Sequence, residues 1–177
     1  MKTKTCQSSS ISTGHYIDGE IHLLASPGAT HQRIIGQLHL ILQSHLIDCI
    51  CEVFLAPFDV HFKKKGIKDP DVMQPDLLVA CGLAENVTAE DRYMGTPTLV
   101  FEILSDSTRT KDMIAKLNTY RLSGVEEYWL VDPKRENIVV YSFRDCEIER
   151  YKTYEAGAVA QSVVFKGLEI PLSPLFA

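Results

Sequence analysis

The segment that decides the fold is Thr98-Leu-Val-Phe-Glu-Ile-Leu-Ser105, a run of large apolar side chains interrupted by one carboxylate. The run predicts a buried strand, and the apolar spacing from Lys111 to Leu122 predicts an amphipathic helix. Ser123-Gly124 is a typical helix end, and Val125 to Val131 predicts the next strand. This strand–helix–strand unit in the middle of the chain indicates an α/β fold, with helices packed on a mixed sheet.

Shorter strands and one long helix are predicted on either side of this unit. Upstream, Asp18-Gly19 predicts a turn, and a helix is expected after Pro27-Gly28 with Thr30 as its N-cap. Strands are predicted from Glu52 to Phe62 and from Leu77 to Cys81. Downstream, the predicted short strands and closing segments are Ile138 to Phe143, Glu149 to Tyr154, Val163 to Phe165 and Leu168 to Leu172.

The composition is that of an ordinary globular protein. Of the 177 residues, 45% are hydrophobic and 23% charged, which suits one domain with a proper core. We expect a flexible N-terminal tail over residues 1–12 and a single domain over residues 13–177. The net charge of -5 argues against a protein that coats DNA, although a local basic patch or bound metal ions can offset carboxylates. The chain has neither a signal-peptide core nor an apolar stretch that could cross a membrane.

Five cysteines occur in the chain, an odd number, and none of them forms a Cys-x-x-Cys pair. This spacing argues against a disulfide framework and against a zinc site with four cysteine ligands. We therefore expect buried, reduced thiols in a cytoplasmic protein. The cysteines are Cys6, Cys49, Cys51, Cys81 and Cys146.

Three residues carry the candidate chemistry. Glu102 lies within the apolar strand, where a carboxylate is costly to desolvate and therefore needs a metal, a cation or hydrogen-bond donors. Asp76 begins a buried strand directly after a proline, and Lys116 lies on the helix that follows the Glu102 strand. If the two carboxylates converge, they offer hard oxygen ligands for Mg²⁺ or Mn²⁺, which can activate water for phosphodiester hydrolysis. Lys116 would orient that water or stabilise charge on the phosphate.

Each of these residues also has a purely structural interpretation. Asp76 suits a turn after Pro75, and Lys116 suits a solvated helix position that pairs with Asp112 four residues earlier. Glu102 suits a buried ion pair, for example with Arg109 or Lys111. From the residues alone, both interpretations stay open.

Four segments together resemble the Uma family, a group described as putative restriction endonucleases. The first two are Gln74-Pro-Asp-Leu-Leu-Val79 and Pro97-Thr-Leu-Val-Phe-Glu-Ile-Leu-Ser105. The third contains Ser107-Thr-Arg, Lys111-Asp112, Lys116-Leu and Tyr120, and the fourth is Gly124-Val-Glu-Glu-Tyr-Trp-Leu-Val-Asp-Pro133. Asp18-Gly-Glu20, His31-Gln-Arg33 and the ending Phe165-Lys-Gly-Leu-Glu-Ile-Pro-Leu172 are similar to that family as well. The resemblance spans nearly the whole chain after the tail.

The resemblance implies a restriction-endonuclease-like fold of the PD-(D/E)xK class, a mixed central sheet flanked by helices. It implies that Asp76 and Glu102 bind Mg²⁺ or Mn²⁺ and that a lysine assists hydrolysis. The usual lysine position, two residues after the second acid, holds Leu104 here. The family pattern offers Lys116 instead, with Arg109 and Lys111 as further candidates.

Further expectations concern His31, the basic cluster and the partners. Related nucleases add an acid from the first helix, where this chain has His31, either a ligand or a hydrogen-bonding residue near the helix start. The basic cluster Lys63, Lys64, Lys65 and Lys68 suits a solvated hairpin tip better than a DNA contact. The leading hypothesis is a metal-dependent endonuclease acting on DNA as a cytoplasmic homodimer, since two cuts need two sites. The alternative is a catalytically silent module that binds nucleic acid or protein.

Overall fold

The structure is a computed structural model that describes residues 14–23, 27–105 and 111–177. Within these ranges, the helices are α1 (Ala29–His45), α2 (Leu83–Asn86), α3 (Lys111–Leu122) and α4 (Leu172–Phe176). The strands are β1 (Gly14–Ile17), β2 (Glu20–Leu23), β3 (Cys51–Leu55), β4 (Val60–Phe62), β5 (Asp71–Met73), β6 (Leu77–Cys81), β7 (Leu99–Ile103), β8 (Glu127–Asp132), β9 (Asn137–Arg144), β10 (Glu147–Tyr154), β11 (Val159–Gln161) and β12 (Glu169–Pro171).

A six-stranded mixed sheet forms the centre of the fold, in the order β10-β9-β8-β7-β6-β3. The strands β7 and β8, which flank α3 in sequence, pair in parallel, and every other neighbouring pair in this sheet is antiparallel. A parallel pair needs a crossover connection, which α3 supplies. The predicted strand–helix–strand unit and mixed sheet are therefore confirmed.

Side chains alternate along β7, so its residues enter two different cores. Leu99, Phe101 and Ile103 pack with α1 and α4 on one face of the sheet. Val100 packs on the other face, with Tyr120 of α3 and Tyr128 of β8. Because both faces are covered, all five residues of β7 are buried, which explains why this strand is a nearly continuous apolar run.

A second sheet of four strands, in the order β2-β1-β5-β4, lies on the α3 side, where Ile17, Val60 and Met73 join the core that contains Tyr120. The turn predicted at Asp18-Gly19 is confirmed, since β1 and β2 pair across it and both residues have positive φ angles. The single strand predicted from Glu52 to Phe62 is wrong. Pro57 lacks the N–H that a ladder needs, and β3 and β4 on either side of it belong to different sheets.

Two details of the helices differ from the predictions. Gly28, not Thr30, is the N-cap of α1, and it has no side chain with which to cap the helix. On α3, the apolar spacing places Ile114 on or beside the buried face of the predicted helix, but 60% of its surface is exposed. The buried positions of α3 include the polar residues Lys116 and Thr119, so apolar spacing alone did not predict the orientation of this helix.

The cysteine predictions are also wrong in part. Cys51 and Cys81 lie directly opposite each other on the antiparallel strands β3 and β6 and form a disulfide. Opposed residues of antiparallel strands hold their Cβ atoms close together, which brings the two sulfurs within bonding reach. Cys49 is a free thiol but an exposed one. The cytoplasmic location was inferred from reduced thiols, and the disulfide removes that argument. The location stays a prediction.

In the described part of the chain, no helix combines the length and the apolar character that a bilayer crossing requires. The predicted tail, residues 1–12, lies outside the described residues, and its flexibility stays a prediction, as does the single domain over residues 13–177.

Candidate active site

The two acidic residues singled out in the sequence lie opposite each other at neighbouring strands. Leu77 of β6 pairs with Phe101 of the antiparallel strand β7, so the next step along the ladder sets Asp76 against Glu102. The backbone N–H of Ile103 donates a hydrogen bond of 2.8 Å to Oδ2 of Asp76. Asp76 is therefore fixed to the strand that carries Glu102, and its charge acts on the Glu102 carboxylate.

Glu102 is buried and hydrogen-bonded at both oxygens. The ammonium of Lys116 lies 2.8 Å from Oε2, and the hydroxyl of Tyr120 donates to Oε1. Burial raises the pKa of Glu102 to about 7, against the opposing charge of Lys116, and the nearby charge of Asp76 raises it further. With a pKa of about 7, Glu102 gains or loses its proton near neutral pH. A change in the charges beside it therefore changes how much of it is ionised.

The helix α3 presents Lys116 and Tyr120 to Glu102 together. They are four residues apart, so their side chains lie on the same face of the helix, one turn apart. Burial and the charge of Glu102 hold the pKa of Tyr120 well above its usual value of 10, so the hydroxyl stays protonated and donates. The interpretation of Lys116 as a solvated residue is wrong, because only 7% of its surface is exposed.

Asp76 has a second partner on the first helix. Nε2 of His31, near the start of α1, lies 3.2 Å from Oδ2 of Asp76. Burial lowers the pKa of His31, but the hydrogen bond and the charges of Asp76 and Glu102 outweigh it, so the pKa lies above its ordinary value of 6.5. Nδ1 of His31 is buried and has no hydrogen-bond partner among the residues that the structure describes. His31 thus contacts Asp76 as a hydrogen-bonding residue near the start of the helix, the second of the two roles that the sequence left open for it.

The sequence of the chain matches a known protein family. The family model Uma2, described as "Putative restriction endonuclease", matches residues 11–173. The chain belongs to this family. Among solved structures, the Uma2 chain is similar to a crystal structure of a putative nuclease belonging to DUF820 from Anabaena variabilis. The TM-score is 0.78 at 19% identity, over 94% of this chain and 91% of that one, which confirms the expected fold. No curated protein matches.

Of the lysine candidates in this Uma2 family member, the structure describes the side chain of Lys116. Leu104 occupies the usual lysine position, and Lys116 reaches Glu102 from the following helix. Arg109 and the side chain of Lys111 lie outside the described residues, so the alternative pairings with Glu102 cannot be placed. Tyr120 contacts Glu102 but was not among the candidate site residues, although it belongs to the segments that carry the family resemblance. Its position four residues after Lys116 was the available signal.

The donor set fits a hard divalent cation. Over residues 14–23, 27–105 and 111–177, no group of three His, Cys, Asp or Glu side chains could hold a metal ion. The carboxylates that meet here are the two of Asp76 and Glu102. Mg²⁺ commonly binds one or two carboxylates and keeps several waters for exchange with substrate phosphates. The contacts of Asp76 with Ile103 and His31 both use Oδ2.

Proposed function

We propose that this Uma2 family member is a metal-dependent endonuclease that hydrolyses DNA phosphodiester bonds. Asp76 and Glu102 hold Mg²⁺ or Mn²⁺, and Lys116 assists the reaction. The observation that carries the proposal is the meeting of two carboxylates on adjacent strands with a buried lysine ammonium 2.8 Å from Glu102. A bound ion would supply charge stabilisation on the phosphate and an activated water.

The residues of the chain have separate tasks in this mechanism. Ile103 N–H and His31 fix one oxygen of Asp76, so its other oxygen is oriented before any ligand arrives. Tyr120 holds Oε1 of Glu102 and so limits rotation of that carboxylate. The Lys116 ammonium then lies beside the carboxylates, where it can donate to a phosphate oxygen or orient the attacking water.

The alternative is a catalytically silent nuclease fold that binds nucleic acid or protein. One observation favours it: both oxygens of Glu102 are already engaged within the chain, by Lys116 and Tyr120. A carboxylate satisfied in this way can be a purely structural group, since an ion pair and a hydrogen bond offset its burial. This alternative predicts DNA or protein binding without turnover in any divalent metal.

The deciding experiment measures Mn²⁺ and Mg²⁺ binding by calorimetry in wild type, Glu102→Gln and Glu126→Gln. Glu126 is exposed and serves as the matched control for the loss of one carboxylate. We expect binding in wild type and in the control, and none in Glu102→Gln. Plasmid cleavage in the same metals then tests turnover, and Asp76→Ala should abolish both readouts.

Two results would overturn the proposed function. One is metal-dependent cleavage that persists in purified Asp76→Ala protein, because the assigned ligand would then be dispensable. The other is a folded wild type that binds no metal, alone or with an oligonucleotide present, and cuts no DNA. DNA binding without cleavage would establish the silent module instead.

We further propose a homodimer, because cutting both strands of a duplex needs two active sites. The strand β3 is one edge of the central sheet, and the neighbouring Ile47 and Ile50 expose 80% and 82% of their surface. The other edge, β10, carries charged residues and a register shift after Ile148, features that discourage strand pairing. The β3 edge is thus the better candidate interface. Light scattering that gives a monomer at all concentrations, with and without DNA, would contradict the dimer.

A further inference from the structure

A second buried charged cluster lies between the four-stranded sheet and α3. Its centre is Asp71, which is 2% exposed and uses both oxygens. Oδ1 accepts the backbone N–H of Asp18 at 3.0 Å, and Oδ2 accepts the hydroxyl of Thr119 at 2.6 Å. The ammonium of Lys64 lies 2.8 Å from Oδ2 and also contacts the carboxylate of Asp18. The predicted solvated hairpin tip is therefore wrong for Lys64, which is 5% exposed.

Stabilisation alone explains this cluster poorly. Removing two charged groups from water costs several kcal/mol for each, and apolar replacements for buried ion pairs are often as stable. What the cluster does supply is a fixed geometry. It joins the β1–β2 turn through Asp18, β5 through Asp71 and α3 through Thr119, all by directional polar contacts. A second contact holds the end of α3, since the N–H of Lys65 donates 2.9 Å to the carbonyl of Leu122.

Thr119 is placed so that its anchor controls the side chains at Glu102. It follows Lys116 by three residues and immediately precedes Tyr120, and all three side chains are buried. A helix rises 1.5 Å and turns about 100° for each residue. If α3 shifted along its axis, or turned about it, by a fraction of the rise or turn of one residue, the Lys116 ammonium would move away from Glu102, which it contacts at 2.8 Å.

We propose that Asp71 and Thr119, with Lys64 as counter-ion, are positioning residues that set the axial position of α3 and so hold Lys116 and Tyr120 against Glu102. The consequence for catalysis rests on the proposed nuclease function. The consequence for the geometry of Lys116 does not, and it can be measured in protein that never meets DNA.

The test compares Thr119→Val, which keeps the shape and removes the hydroxyl, with Thr119→Ser, which keeps the hydroxyl. Ser162→Ala is the matched control, because Ser162 also donates a hydroxyl to a buried carboxylate, that of Glu127, at 3.1 Å. The first readout is the ¹⁵N resonance of the Lys116 ammonium, which is protected from exchange only while the amine is held in its buried contact. Asp71→Asn, which keeps the side-chain shape, is the second variant if Thr119→Val fails to fold.

We expect the Lys116 resonance to be lost in Thr119→Val and retained in Thr119→Ser and Ser162→Ala. In cleavage assays, Thr119→Val should lower kcat about 100-fold, the scale expected when a reacting group moves by about 1 Å. KM and metal affinity should be unchanged, and Thr119→Ser should restore the rate. A retained Lys116 resonance in both Thr119→Val and Asp71→Asn would overturn the positioning role. If wild type cuts no DNA, the proposed function fails and the resonance alone decides this inference.

Discussion

The raised pKa of Glu102 makes the stability of the metal-free protein depend on pH in a way that one substitution can isolate. Glu102→Gln keeps the shape of the side chain and removes its ionisation. In wild type, the folded chain holds the Glu102 proton up to about pH 7, whereas the unfolded chain releases it near the ordinary value of 4.5. The folded state therefore binds more protons between these values, and wild type loses stability as the pH rises through them.

The magnitude follows from the interval between the two pKa values. Each pKa unit corresponds to 1.36 kcal/mol, so the interval from 4.5 to about 7 corresponds to about 3 kcal/mol. This contribution is fully present below pH 4.5 and is lost as the pH rises through about 7. Because Gln does not titrate, the stability of wild type relative to Glu102→Gln should fall by about 3 kcal/mol between pH 4.5 and 8.

Urea denaturation of both proteins at several pH values, with a chelator present, measures this difference. Glu126→Gln is the control, and its stability should stay parallel to that of wild type, because Glu126 is exposed. Parallel pH profiles for wild type and Glu102→Gln would refute the reasoning, since Glu102 would then titrate alike in the folded and unfolded chains. A difference of the opposite sign would show that Lys116 and Tyr120 outweigh burial and stabilise the ionised carboxylate.

Three further predictions concern the lysines and the disulfide. Lys116→Met should lower kcat by about 100-fold in plasmid cleavage, whereas the exposed Lys63→Met should not change the rate. An equal loss in both variants would argue against a specific role for Lys116. Lys64→Met should lower the free energy of unfolding by about 3–5 kcal/mol in urea denaturation, because it leaves a buried carboxylate without its cation. The same small effect in Lys63→Met and Lys64→Met would contradict that burial. Replacing Cys51 and Cys81 together by Ser should cost about 3–4 kcal/mol, since the bridge spans a sequence separation of 30. An unfolding midpoint that does not move when reductant is added to wild type would argue against the bridge.

The parts of the fold that were predicted correctly are those with a strong local signal. The strand Leu77–Cys81 matches the structure at both ends and the helix predicted to end at Leu122 does so, because a short apolar run and a Ser-Gly helix end are distinctive patterns. The predictions failed where the environment of a residue is set by distant segments. Lys64 lies between two exposed lysines, and only its contacts with Asp18 and Asp71 explain its burial.

The residues of the candidate site also differ in how strongly the local sequence indicates them. Glu102 could be singled out from sequence, because a carboxylate in a run of large apolar side chains requires a partner. Lys116 was singled out as a candidate site residue, but its contact and that of Tyr120 with Glu102 could not be derived from local pattern, since the two residues are 14 and 18 positions away in the chain. His31 gave a weaker signal still, as it reaches Asp76 across 45 residues of sequence and nothing near it indicates a partner.

The sequence by itself determined the central strands and the crossover helix, and it singled out Asp76, Glu102 and Lys116 as candidate site residues. These features depend on periodicity, on local turn residues and on the cost of burying a charge, all of which are written in short stretches of chain. Only the tertiary structure decided that β6 and β7 pair so that Asp76 faces Glu102, and that α3 packs with Lys116 and Tyr120 toward them. Strand register and helix orientation depend on packing between segments far apart in sequence, and no local pattern in this chain specifies that packing.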